Sequence, residues 1–166
     1  FVTVGSTGFD SLVEACTAAS FLNALERLGY KTLLIQYGSS ESIFKRNRNN
    51  SSNDNNSKLT LQGYAYKPSI TQDMEKASLV ISHAGSGSIL QALRIPKPLI
   101  VVSNSLLMDN HQQELAQAMS DKGYCICSNP SNLIDAVDEL SSKELVRLPP
   151  PSTSAFANLL NTHMGF

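Results

Sequence analysis

Short, continuous apolar runs alternating with stretches of helical period constrain this chain more than any other feature it carries. Thr32-Leu33-Leu34-Ile35 and Pro98-Leu99-Ile100-Val101-Val102 show no apolar-polar alternation along their length. A strand with one wet face alternates, so a run that does not alternate belongs to a strand covered on both faces, as in a parallel sheet. Leu79-Val80-Ile81 is a third such run, and Phe1-Val2-Thr3-Val4, 59–61 and 124–127 read as further strands. Between them, Leu12, Cys16, Ala19, Leu22 and Leu25 recur at the spacing of one helix, which Gly29 ends as a C-terminal cap. Helices are also predicted over 70–76, from a Gly/Ser turn to Leu93, over 109–122 before Gly123, and over 131–140. Strands alternating with helices through right-handed crossovers predict an α/β fold with a Rossmann-like, doubly wound parallel sheet.

The 166 residues suffice for one domain with a sizeable core and are too few for two ordinary ones, so 1–166 is expected to be a single domain. The run 46–57 is almost wholly Asn, Ser and charge, too little apolar surface to offset its ordering entropy, and is expected to be a mobile surface loop. Asn49, Asn50 and Asn55 open Asn-x-Ser triplets there, which arise by chance in such sequence and matter only in secreted proteins. After Pro149-Pro150-Pro151, Phe156, Leu159 and Leu160 can share one helix face; 152–166 is expected to be a helix packed on the domain or on a partner.

A net charge of −1, with both signs mixed along the chain, gives no field for a nucleic acid, and none is expected as a partner. No apolar run approaches the ~20 residues of a membrane-spanning helix, and no basic-then-apolar signal precedes the first strand, so a soluble cytosolic chain is expected. The start on Phe1, without Met, suggests that a short leading segment was trimmed. Cys16, Cys125 and Cys127 are odd in number and lack metal-type spacing, which predicts buried free thiols.

In an open parallel sheet, ligands bind beyond the C-terminal ends of the strands, so the loops that follow strands carry the chemistry. Ser82-His83-Ala84-Gly85-Ser86-Gly87-Ser88 leaves a strand and enters a helix through two glycines and three serines. Glycines admit a ligand to the backbone, and free amides at a helix start attract anionic oxygen; a diphosphate suits the turn, as does a plain Ser-capped strand-to-helix connection. Gly5-Ser6-Thr7-Gly8 offers the same chemistry without full G-x-G-x-x-G spacing. The second strand closes on Gln36-Tyr37-Gly38, where a dinucleotide site wants a ribose-binding acid, and this disfavours NAD. The third loop, from Asn104 through Asp109, Asn110, His111 and Gln112, gathers amides, a carboxylate and an imidazole at a helix start. Such groups can bracket sugar hydroxyls; equally, Asp109 can be the N-cap of a helix with a solvated polar face.

These three loops, with Lys97-Pro98-Leu99-Ile100-Val101-Val102, Leu107-Met108-Asp109-Asn110-His111-Gln112 and the opening Phe1-Val2-Thr3-Val4-Gly5 and Phe9-Asp10-Ser11-Leu12, closely resemble the soluble subunits of dolichyl-diphosphate UDP-GlcNAc transferases. The resemblance runs almost end to end, the loop 46–57 excepted. It extends to the C-terminal half of the bacterial glycosyltransferase MurG, and so implies the donor-binding domain of a GT-B glycosyltransferase. It implies UDP-GlcNAc as donor, a dolichol-linked acceptor, and a membrane-anchored partner subunit at the cytosolic face of the endoplasmic reticulum.

Carried over by position, Gly85, Ser86, Gly87 and Ser88 would face the diphosphate, with Gly5, Ser6 and Thr7 beside them. Asp109, Asn110, His111 and Gln112 would face the GlcNAc, with Asn104 at the head of that loop. Gln91 would lie near the ribose, where relatives often carry an acid; it can still accept from a hydroxyl. His83 is either a group at the donor and a candidate catalytic residue, or a structural histidine bonded within its turn. The resemblance implies inverting attack by the acceptor 4-hydroxyl, with helix-start amides stabilising the departing UDP and the general base on the other domain. No Asp-x-Asp metal motif is present, and no cofactor is expected. The alternative is a non-catalytic nucleotide-binding subunit that regulates or scaffolds a membrane complex.

Overall fold

A computed structural model of the chain describes residues 1–51, 58–104 and 110–149. In chain order the elements are β1 (Val2–Thr3), α1 (Asp10–Thr17), α2 (Ala19–Arg27), β2 (Thr32–Gln36), α3 (Glu41–Ser51), β3 (Thr60–Tyr64), α4 (Thr71–Lys76), β4 (Val80–His83), α5 (Ser86–Leu93), β5 (Leu99–Val102), α6 (Asn110–Asp121), β6 (Ile126–Ser128), a 3-10 turn (Pro130–Asn132) and α7 (Leu133–Ser142). The strands form one parallel sheet in the order β3-β2-β1-β4-β5-β6, the doubly wound arrangement.

The unalternating runs are buried on both faces. All four residues of β5 are buried, Ile100 and Val102 in one apolar cluster and Leu99 and Val101 in a second. Successive side chains of a strand point to opposite sides, so one short run feeds two cores. Each such side chain contributes about 1.5–3 kcal/mol by leaving water. On one face α7 supplies Leu133, Ala136 and Val137 at helical spacing to the cluster that holds Phe21 and Leu25 of α2. On the other, Ile89 of α5 and Met74 of α4 meet Val80 and Leu99. Cys16 and Cys125 are buried free thiols and Cys127 is half-buried.

Two readings of the sequence are corrected. The helix read through Leu12 to Leu25 is two helices, parted at Ala18, whose ψ of 140° is extended. Thr17 turns its hydroxyl back on the Val13 carbonyl at 2.7 Å and accepts from Asn47 at 2.8 Å, a local bond that competes with the helix ladder. The apolar period runs on across a one-residue break, which is why periodicity missed it.

The expected loop at 46–57 is also corrected: 46–51 is the C-terminal half of α3, and 52–57 lie outside the described residues. Phe44, 2% exposed, anchors this helix, stacking on Tyr37 with ring centroids 4.8 Å apart. A Cβ on Gly63 of β3 would stand 2.6 Å from the Phe44 ring, so glycine makes the notch in which that ring lies. Ion pairs of Lys45 with Glu41 and Arg46 with Glu14 decorate the wet side. The polar run is the solvated end of a helix whose apolar anchor lies just upstream of it. The expected C-terminal helix, 152–166, lies outside the described residues.

Candidate functional site

The chain winds outward from β1 to β2 and β3, then returns to the other flank of β1 to lay down β4, β5 and β6. The order therefore reverses between β1 and β4, and the loops that leave these neighbours diverge to open a crevice. Those two loops are the glycine-rich turns of the sequence.

After β4 the chain turns at Gly85, an extended N-cap with ψ of 126° and no side chain bonded over the helix end. The first intrahelical bond runs from the Ile89 amide to the Gly85 carbonyl at 2.9 Å, so the amides of Ser86, Gly87 and Ser88 precede the ladder. Ser86 and Gly87 are exposed, and a Cβ on Gly87 would meet no atom within 4 Å. An open helix start with uncapped amides attracts anionic oxygen.

The loop after β1 is held from behind by the loop after β2. The Phe9 amide donates to Ser40 Oγ at 2.9 Å, and the Ser39 hydroxyl donates to the Thr7 carbonyl. Gly38 has a φ of +55°, and a Cβ there would stand 2.4 Å from the Gly5 carbonyl oxygen, so only glycine admits this approach. Gln36 reaches the same carbonyl from the end of β2, with Nε2 2.9 Å from Gly5 O.

His83 joins the two loops. Its Nδ1 lies 3.3 Å from the Thr3 carbonyl, which can only accept, so Nδ1 carries the proton and Nε2 is bare. Burial pushes the imidazole below its ordinary value, an effect opposed by the Thr3 carbonyl, and the neutral form prevails near pH 7. The ring edge fits between two glycines: a Cβ on Gly85 would stand 2.4 Å from Nε2, and one on Gly5 2.9 Å. The first nitrogen is thus spent on the fold, while Nε2 has no partner among the described residues.

Beside this junction lies a cavity of about 210 Å³ walled by Gly5, Ser6, Gln36, Ser88, Gln91 and the 66–70 segment. Gln91 donates to Thr71 Oγ1 at 2.8 Å, which leaves its carbonyl oxygen to accept. The 66–70 wall is braced by Lys67, which bonds Asp73 at 2.9 Å and covers the Tyr64 ring at 4.1 Å, while the Tyr64 hydroxyl donates to Asp73. Two larger hollows, about 650 and 820 Å³, open at the opposite end, where Thr32, Leu79 and Pro98 lead into their strands, away from both glycine turns.

The structure thus brings together Gly5, Ser6, His83, Gly85, Ser86, Gly87, Ser88 and Gln91. Thr7 is exposed on the same loop with its carbonyl turned to Ser39. Asn104 is half-buried after β5. Asp109 lies outside the described residues; Asn110, His111 and Gln112 open α6, and their side chains lie outside the description. Sequence reasoning missed Gln36, Ser39, Ser40 and Lys67 as parts of the site. The signal for Gln36 was a polar residue closing an apolar strand, which had been read only as a missing acid. Among the described residues no helix is long and apolar enough to cross a membrane, and no three His, Cys, Asp or Glu gather as a metal cluster.

The sheet order and this crevice define a doubly wound α/β domain open at its switch point, and the chain belongs to glycosyltransferase family 28, matching its C-terminal-domain model over residues 1–162. Within the family it stands with the proteins named UDP-N-acetylglucosamine transferase subunit ALG13. The Mus musculus relative is 42% identical over 96% of this chain, and the Candida glabrata relative 33% identical over 98%. The chain spans 14% of the mouse protein's length and 96% of the C. glabrata protein's. An NMR solution structure of ALG13 superposes with a TM-score of 0.71 at 30% identity, covering 96% of this chain and 93% of that one. The crystal structure of Acinetobacter baumannii MurG shares the fold, with a TM-score of 0.59 at 17% identity over 86% of this chain and 41% of its own.

Proposed function

We propose that this chain is the donor-binding subunit of an N-acetylglucosaminyltransferase that moves GlcNAc from UDP-GlcNAc to dolichyl-diphosphate-GlcNAc, forming chitobiosyl-diphosphodolichol with inversion. The observation that carries the reading is the open start of α5, with its uncapped amides and exposed Gly87, lying at the switch point against the Gly5 loop. The family's relatives, named as UDP-N-acetylglucosamine transferase subunits, supply the sugar and the need for a second chain.

In this reading the diphosphate lies on the amides of 86–88. As the acceptor 4-hydroxyl forms its bond to the anomeric carbon, the bond to the phosphate oxygen breaks and its electron pair leaves with UDP. Donors already aimed at that oxygen stabilise the growing charge without reorganising. The hydroxyl proton passes to a base on a membrane-anchored partner subunit, which also supplies the acceptor surface, so the isolated chain is inactive. His83, bare at Nε2 beside the site, positions the two turns. The pair works at the cytosolic face of the endoplasmic reticulum. Asp109, Asn110, His111 and Gln112 hold the sugar, and no cofactor is required beyond the two substrates.

The test is transfer of radiolabelled GlcNAc from UDP-GlcNAc to a dolichyl-diphosphate-GlcNAc acceptor by the reconstituted pair. Asp109→Ala, His111→Ala and Gln112→Ala should each lower transfer far more than stability. If Asp109→Ala instead costs the ~1 kcal/mol of a lost helix cap and leaves transfer by the folded protein normal, the sugar site is misassigned.

A further inference from the structure

Gln36 closes β2 at 4% exposure, and its side-chain amide nitrogen is aimed at two loops of the crevice. Its two amide protons go to the Gly5 carbonyl at 2.9 Å and the Ala65 carbonyl at 2.8 Å, and its oxygen accepts from the Thr3 hydroxyl at 2.6 Å. A buried amide is costly unless fully bonded, and an apolar side chain would fill the same space more cheaply. The sheet does not require these bonds to hold its strands in register. Main-chain bonds already join the same neighbours, from Val4 N to Gln36 O at 3.1 Å and from Tyr37 N to Tyr64 O at 3.0 Å. What the side chain adds is a grip on two carbonyls just past the ends of β1 and β3.

The consequence lies in the peptide planes. No described peptide is cis, so the amide of Ser6 points opposite to the Gly5 carbonyl, and that of Tyr66 opposite to the Ala65 carbonyl. Fixing the two carbonyls therefore fixes the direction of both amides. Ser6 and Tyr66 both line the 210 Å³ cavity. The site also explains why a carboxylate is absent from this position: it would face two carbonyl oxygens with nothing to donate.

We propose that Gln36 is a positioning residue for the donor, setting the spacing and the amide directions of the two backbone segments that line the donor's cavity. The proposal rests on the reading of the crevice as the UDP-GlcNAc site.

The test uses the reconstituted complex, with Gln36→Met, which keeps length and loses every hydrogen bond, and Gln36→Glu, which loses the donors. Melting temperature, UDP-GlcNAc affinity by calorimetry, and donor KM and kcat are measured. A positioning role raises donor Kd and KM about tenfold or more and leaves kcat within about twofold, because binding is lost while the chemistry of the bound donor is kept. A residue that only supports the fold lowers the melting temperature and the active fraction, so apparent kcat falls with KM unchanged, and that result overturns the proposal. Thr3→Val, which removes the hydroxyl that orients the amide at nearly constant volume, carries the test if the Gln36 variants do not fold. It should raise donor KM in the same direction, and an unchanged KM there overturns the proposal too. Wild type that fails to bind UDP-GlcNAc refutes the donor reading and this inference together; wild type that binds, alongside folded variants that bind equally well, refutes this inference alone.

Discussion

Valine at position 87 separates the fold from the ligand site more cleanly than any other single change to the crevice. A Cβ there meets no atom within 4 Å, and Gly87 is exposed in the first turn of α5, so the substitution has nothing to collide with in the free protein. Glycine is about 1 kcal/mol and valine about 0.5 kcal/mol less favourable than alanine in a helix, so the exchange should stabilise α5 by roughly 0.5 kcal/mol. For a chain of this size that is a rise in Tm of about 1–2 °C. The same isopropyl group stands where a diphosphate would approach the amides of 86–88. A hydrogen bond to a charged group contributes about 1.5–3 kcal/mol, and each ~1.4 kcal/mol is tenfold in affinity, so losing one bond should weaken UDP-GlcNAc about 10- to 100-fold. Calorimetric titration of the reconstituted complex and differential scanning calorimetry read the two effects separately. An unchanged affinity in the folded Gly87→Val variant refutes the diphosphate assignment; a melting temperature several degrees lower refutes the claim that this position is open.

Gly85→Ala should behave oppositely, because its Cβ would lie 2.4 Å from His83 Nε2: thermal denaturation should show a loss of about 1–3 kcal/mol, and His83→Ala in the same background should recover part of it. Phe44→Ala should cost about 3–5 kcal/mol in urea denaturation and lower the helical circular dichroism, since this ring ties α3 to Tyr37 and Gly63. His83 is held by burial below its ordinary value near 6.5, so the unfolded chain binds a proton that the folded chain refuses. The stability it contributes is complete above about pH 6.5 and is lost as the pH falls toward its depressed folded value, so urea midpoints at pH 7.5 and 5.5 should lie closer together for His83→Gln than for wild type.

The legible parts of this fold were those in which one local rule decides the outcome. Unalternating runs such as Leu99–Val102 can only be strands covered twice, and all four of these residues are buried. The turn at Gly85 was readable because its glycines and serines have few other uses between a strand and a helix. What escaped was set by contacts distant in sequence. The break at Ala18 follows from Thr17 and Asn47, residues of different helices, and α3 persists through a polar run because Phe44 upstream reaches Gly63 on another strand. Gln36 was seen as the absence of an acid, because its purpose is set by carbonyls at Gly5 and Ala65 that only the folded sheet brings within reach.

β1 is the first of the described strands and lies inside the sheet, with Val2 paired to Ile35 on one side and Ile81 on the other. During synthesis it leaves the ribosome before either neighbour exists, and its second flank stays uncovered until the chain has run on to β4. Contacts so distant in sequence close slowly, and an unpaired apolar edge is open to association in the interval. The strand that the crevice depends on most is therefore the one whose partners arrive latest, so the Gly5 loop and the α5 start acquire their mutual geometry only when the central pairing closes. A chain stalled before Ile81 holds β1, β2 and β3 with one flank of β1 uncovered, and such a nascent species is the one most exposed to chaperones and proteases.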